Sequence, residues 1–102
     1  MSSNTQKLRV LRARTDHDLL VLIDRELDRG FALVDVAPSR NSPLYAQVVK
    51  ALSTATAMMP RISGASEEER ARIERKVKEL EERARLVPPY ANVRAFPATF
   101  AS

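Results

Sequence analysis

Three stretches of the chain repeat apolar residues at steps of three and four, the spacing that aligns side chains on one face of a helix. In the last of them Ile73, Val77, Leu80, Ala84 and Val87 form a continuous seam. Ser66-Glu67-Glu68-Glu69 reads as its start. The serine hydroxyl can accept from the amide of Glu69, whose carboxylate reaches back to the serine N–H. Acids in that first turn also meet the positive end of the helix dipole. Pro88-Pro89 is the stop, because Pro88 has no amide donor and disfavours helical geometry at Val87. The predicted helix covers 66–86.

The middle stretch lines one face with Leu44, Tyr45, Val48, Leu52, Ala55 and Met59. Ser42-Pro43 opens it with a capping hydroxyl and a proline at the first helical position, where a missing donor costs nothing. Pro60 closes it, so the helix covers 43–59, between loops at 39–41 and 61–65.

In the first stretch Leu20, Ile23, Leu27, Phe31 and Val34 make the main stripe, broadened by Leu19 and Leu22, with Asp24, Arg25, Asp28, Arg29 and Asp35 on the wet side. Thr15-Asp16-His17-Asp18 resembles a cap followed by first-turn acids, which sets the helix at 16–36, ended by Pro38. Gly30 is its weak point, since glycine inside a helix costs about 1 kcal/mol relative to alanine. A strand over 31–36 is the alternative, but a two-stranded sheet is marginal in water, and the stripe crosses Gly30 without a change of phase. Upstream, Leu8 and Leu11 continue the helical spacing, so residues 5–14 extend this helix, although Lys7-Leu8-Arg9-Val10 also alternates as a strand would. Met1–Asn4 reads as disordered.

At about 1.5 Å per residue the three helices measure about 31, 25 and 31 Å. Matched lengths and short loops predict an all-α fold, a three-helix up-down-up antiparallel bundle with an extended C-terminal tail. The division is a basic arm or helix extension at 1–14, the bundle at 15–87 and a Pro/aromatic tail at 88–102. Three of the five aromatics, Tyr90, Phe96 and Phe100, fall in that tail, which holds a single charge. A free tail is usually more polar than this, so docking on its own bundle or on another chain is expected.

Composition narrows the functional classes. A length of 102 residues suits one domain, and the absence of cysteine excludes disulfides and thiolate metal sites. No apolar run follows a basic start and none approaches membrane-spanning length, so a soluble cytoplasmic protein without a membrane partner is expected. The net charge of +4 is unevenly spread. Residues 1–14 carry four bases and no acid; residues 16–36 carry six acids and two bases; residues 37–65 carry three bases and no acid. The expectation is that the acidic first helix attracts the basic second one. The third helix balances seven acids against seven bases, and Glu68–Arg72, Glu74–Lys78, Glu79–Arg83 and Glu81–Arg85 are spaced to pair along its surface.

Candidate chemistry is sparse. His17 is the sole histidine and reads as solvated. Asp24 and Asp28 share a face and could approach a cation, but Arg25 and Arg29 alternate with them; a solvated or paired face is expected. Glu26, at the edge of the stripe, is expected to pair, for instance with Lys50. No phosphate-binding glycine loop, nucleophile elbow or zinc-protease motif occurs. The chain is therefore expected to be no enzyme, with no catalytic residue, cofactor, metal or small-molecule substrate.

Two binding readings remain. In the first, the chain is a protein-interaction or self-assembly module, a homo-oligomer or a partner of another protein, burying Leu19, Leu22, Ile73, Leu80, Tyr90, Phe96 and Phe100. The third seam, with Glu74 and Glu81 on one flank and Lys76 and Arg83 on the other, would serve as a bundle face or as a short coiled coil in a homodimer. In the second, Lys7, Arg9, Arg12 and Arg14, with Arg40 and Arg61, contact nucleic-acid phosphates.

Overall fold

The computed structural model describes residues 2–90, apart from the side chains of Ser2, Ser3 and Ala13. Among these the regular structure is entirely helical: α1 (Ser2–Val34), α2 (Pro43–Met58), a single 3-10 turn at Met59–Arg61, and α3 (Glu67–Arg85). The strand alternatives at 7–10 and 31–36 are not adopted. Phe96 and Phe100 lie outside the described residues.

The two sharpest start signals form as expected. Ser42 accepts from Leu44 N with Pro43 in the first turn, and Ser66 and Glu69 close a reciprocal capping box. The first start does not. α1 begins at Ser2, so Ser2–Asn4 is helical and Thr15-Asp16 lies mid-helix. The Thr15 hydroxyl bonds back to the Leu11 carbonyl at 2.9 Å, a habit of threonine inside a helix. Asp16 is buried and turned inward, where its carboxylate accepts from Gly64 N at 2.9 Å and the Ser63 hydroxyl at 3.5 Å. The expected first-turn acid instead holds the loop between α2 and α3. Gly64 suits that loop because a Cβ there would sit 2.8 Å from the Asp16 oxygen.

The core joins Leu20, Ile23, Leu27 and Val34 of α1 to Val48 and Ala55 of α2, Ile73, Leu80 and Ala84 of α3, and Ile62 and Val87 beyond the helix ends. At Gly30 α1 comes close to both neighbours: a Cβ there would lie 2.6 Å from Leu80 Cδ2 and 3.3 Å from Ala51 Cβ. The helix runs through this glycine because the crossing needs its missing side chain.

Cross-links between α1 and α3 keep a constant separation in sequence. Asp16 meets Gly64, Asp24 meets Arg72, Asp28 meets Lys76 and Asp35 meets Arg83. Each pair is 48 residues apart, so α1 and α3 run parallel and in step, with α2 antiparallel to both.

These contacts correct the expected electrostatics. The acids of α1 pair with α3, not with the basic stretch at 37–65. Arg72 grips Asp24 through both carboxylate oxygens at 2.9 and 2.8 Å, and Lys76 bridges Asp24 and Asp28. Of the four pairs expected along α3, only Glu79–Arg83 forms among the described residues. Arg83 also lies over the Phe31 ring, 5.3 Å from its centroid, and no ion pair joins Glu26 to Lys50.

Candidate interaction surface

At about 1.5 Å per residue α1 is about 50 Å long, against about 28 Å for α3. Asp16 is its first buried residue, so residues 2–15 project beyond the bundle. The core seam explains why. Residues 16, 20, 23, 27, 30 and 34 repeat at steps of four and three; the same phase carried backwards meets Ala13, Arg9 and Gln6, none of them a large apolar residue.

A second stripe runs along α1. Leu8, Leu11, Thr15, Leu19 and Leu22 share one side of the helix, about a quarter turn from the core seam. Leu8, Val10 and Leu11 are 67%, 67% and 58% exposed. Leu22 is also exposed, while Leu19 is half-buried against the core. Lys7 and Arg14 lie on one flank of this stripe and Arg9 and Arg12 on the other, all exposed. The overhang is thus a basic amphipathic helix whose Leu8, Val10 and Leu11 are left largely open to solvent.

The remaining predicted interface residues divide sharply. Ile73 and Leu80 are 0% exposed and belong to the bundle's own core, so the α3 seam packs within the bundle. Tyr90 is exposed. Arg40 does not join a continuous basic surface with the overhang. Its side chain donates to the carbonyls of Val87 and Arg85 and its amide to that of Pro88, tying the end of α3 to the α1–α2 loop at the far end of the bundle. The partially built charge signal at Arg40 is therefore structural, and nothing short of the three-dimensional register reveals it.

The α1–α3 ion network is the other polar feature. Hydrogen bonding to Arg72 is the main force holding the Asp24 carboxyl below its usual range; partial burial opposes it and Lys76 reinforces it. Arg72 is raised by the same bond. For Lys76 burial acts to lower the ammonium's value, but the hydrogen bonds it donates to Asp28 and Asp24 outweigh it and the net shift is upward. Both aspartates pair with cations of α3, which makes them part of a structural clamp. His17 is exposed, and among the described residues no three His, Cys, Asp or Glu side chains gather to hold a metal ion.

Between α2 and α3 lies an open groove of about 420 Å³ with a mostly apolar lining. Ala55 and Ile73 form its floor and Met59 and Val77 its walls, with Thr56, Pro60, Glu74, Lys78 and Glu81 at the rim. No described helix is long and apolar enough to cross a membrane.

Comparison of the chain with protein-family models, curated proteins and solved structures finds no match.

Proposed function

We propose that this protein is a non-enzymatic assembly module of the cytoplasm that self-associates through the exposed stripe of α1. The observation that supports this is the overhang itself. A helix end of this length without tertiary packing is marginal in water. Yet this one presents Leu8, Val10 and Leu11 to solvent, each more than half exposed. Burial against a second helix would supply what the bundle does not.

A second copy of α1, laid antiparallel about Thr15, is the best-matched occupant. That arrangement sets Leu8 against Leu22 and Leu11 against Leu19, since both pairs of positions sum to 30. It also brings residues 1–14, with four bases and no acid, over residues 16–29, where Asp18 and Glu26 stand outside the clamp to α3. Charge complementarity of this kind selects orientation and speeds encounter. Sedimentation of the full chain over a range of concentrations tests the reading. The expected result is a reversible monomer–dimer equilibrium that Leu8→Glu with Leu11→Glu abolishes while helicity of the bundle persists. A monomer at high micromolar concentration overturns self-assembly.

The four exposed bases of the overhang favour one other reading, contact with nucleic-acid phosphates. Binding of that kind weakens steeply between low and physiological salt as counterions are released. Lys7 and Arg14 face away from Arg9 and Arg12 across the apolar stripe, so a single phosphate track would engage only part of the set. Affinity for a DNA or RNA duplex with no salt dependence rules it out.

A further inference from the structure

We infer that the groove between α2 and α3 is the docking site of the chain's own C-terminal segment, residues 91–102, anchored by Phe96 and Phe100. This does not depend on the self-association of α1, which uses a different face.

The groove exists for a physical reason. Gly30 and Ala51 draw α2 in close against α1, while Ala55 and Thr56 turn short side chains toward α3. α1 and α3 are clamped by ion pairs, but none joins α2 to α3 among the described residues. The result is an apolar-floored cleft of about 420 Å³, whose deepest residues, Ala55 and Ile73, are 0% exposed. Its half-buried walls are Met59 and Val77. A cleft with a closed, dry floor favours large apolar side chains and gives little purchase to a strongly charged segment.

Reach and direction point to the tail. The described chain ends at Tyr90, just past the point where Arg40 fixes the carbonyls of Val87 and Pro88. Along the axis of α3, Val77 lies about 15 Å and Ile73 about 21 Å back from Val87, at about 1.5 Å per residue. An extended chain covers up to about 3.3 Å per residue. Phe96 therefore reaches about 20 Å from Tyr90 and Phe100 about 33 Å, enough to set them beside Val77 and Ile73. A spacing of four places the two rings on the same side of the chain whether it is extended or helical.

Charge agrees. The rim offers Glu74 and Glu81 against Lys78, and residues 91–102 carry Arg94 alone. With Phe96 beside Val77, Arg94 falls two residues nearer the α3 C-terminus, level with Glu81. The overhang of α1 is the poorer fit: it carries four bases and leaves the bundle at the opposite end.

The chain has no cysteine, so Ser102→Cys gives a single site for a nitroxide spin label. In the full-length labelled protein, the Met59, Ile73 and Val77 methyl signals should lose most of their intensity, with Val21 on the opposite face unaffected. Adding Phe96→Ala and Phe100→Ala should restore them. Undiminished groove signals, or uniform loss across all faces, overturns the proposal. So does loss of the same groove signals when labelled, isotope-silent chains are mixed with unlabelled, isotope-enriched ones, which would place the tail on a neighbouring molecule. The dimer equilibrium of α1 is read separately, by mass, and stands or falls on its own.

Discussion

α1 contains two regions that share a backbone and little else. From Asp16 to Val34 every third or fourth residue is committed: Leu20, Ile23, Leu27 and Val34 to the core, Gly30 to a close helix crossing, Asp24 and Asp28 to the cations of α3. From Ser2 to Thr15 the helix continues, and Leu8, Val10 and Leu11 face water. Helical spacing alone does not tell these regions apart, because both contain leucines at helical steps. Phase does. The body's stripe is in phase with neighbours on two sides, whereas Leu8 and Leu11 lie a quarter turn away, aligned with Leu22. A helix that keeps its periodicity but shifts its apolar face has left its own core and is presenting a surface.

Substitutions should separate the two regions most strongly at matched leucines. Leu27→Ala opens a cavity among fully buried neighbours and should lower unfolding free energy by about 3 kcal/mol. Leu11→Ala should change the monomer's stability by no more than about 0.5 kcal/mol, since it loses no packing there. Denaturant unfolding at low concentration makes the comparison; equal losses would show that the overhang is packed.

Gly30→Val should be next in size. Its branched side chain enters space already held by Leu80 and Ala51, and overpacking of this kind costs about 2 kcal/mol, visible as a lower thermal midpoint. A neutral or stabilising result would mean that the crossing is looser than the 3.3 Å approach to Ala51 implies.

Asp16→Ala removes the acceptor for Gly64 N at the boundary between the two regions, and should cost about 1–2 kcal/mol. Hydrogen exchange should then quicken in the 62–66 loop and leave residues 4–12 unchanged. Quickening of the overhang alone would reverse the assignment of Asp16.

The smallest effect is electrostatic. Because the folded carboxyl of Asp24 is held below its usual value, its contribution is present above about pH 4 and fades as pH falls through the folded value. The Lys76 shift is upward, so its contribution is present below about pH 10 and fades as pH rises through the folded value. The pair with Arg72 is partly exposed, so Asp24→Asn should cost about 1 kcal/mol at neutral pH and flatten the acid limb of a stability–pH curve. An unchanged acid limb would remove Asp24 from the clamp.

Much of this architecture was legible in the chain. Ser42-Pro43 and Ser66-Glu69 are local devices, complete within four residues, and both form as their chemistry requires. The seam through Ile73 and Leu80 was equally legible as a helix face, though not as an inward one, because burial depends on which neighbour arrives. What sequence could not supply was register. Asp16 looked like a first-turn acid because a carboxylate that serves a distant amide and one that serves its own helix are the same residue type. Arg72 had a suitable acid four residues away, and only the parallel in-step packing of α1 and α3 shows that Asp24 takes it instead. The exposed stripe of α1 was half visible: Leu19 and Leu22 stood out as surplus to the main stripe, but their continuity with Leu8 and Leu11 needed an unbroken helix through Thr15.

Hydrogen exchange of the amides of residues 4–15, followed in the full-length protein across a concentration series, tests the central claim most directly. If the stripe of α1 is an assembly surface, these amides exchange rapidly in dilute solution and become protected as the measured mass rises, while the 20–34 amides stay protected throughout. Protection of residues 4–15 that is the same at every concentration would contradict it.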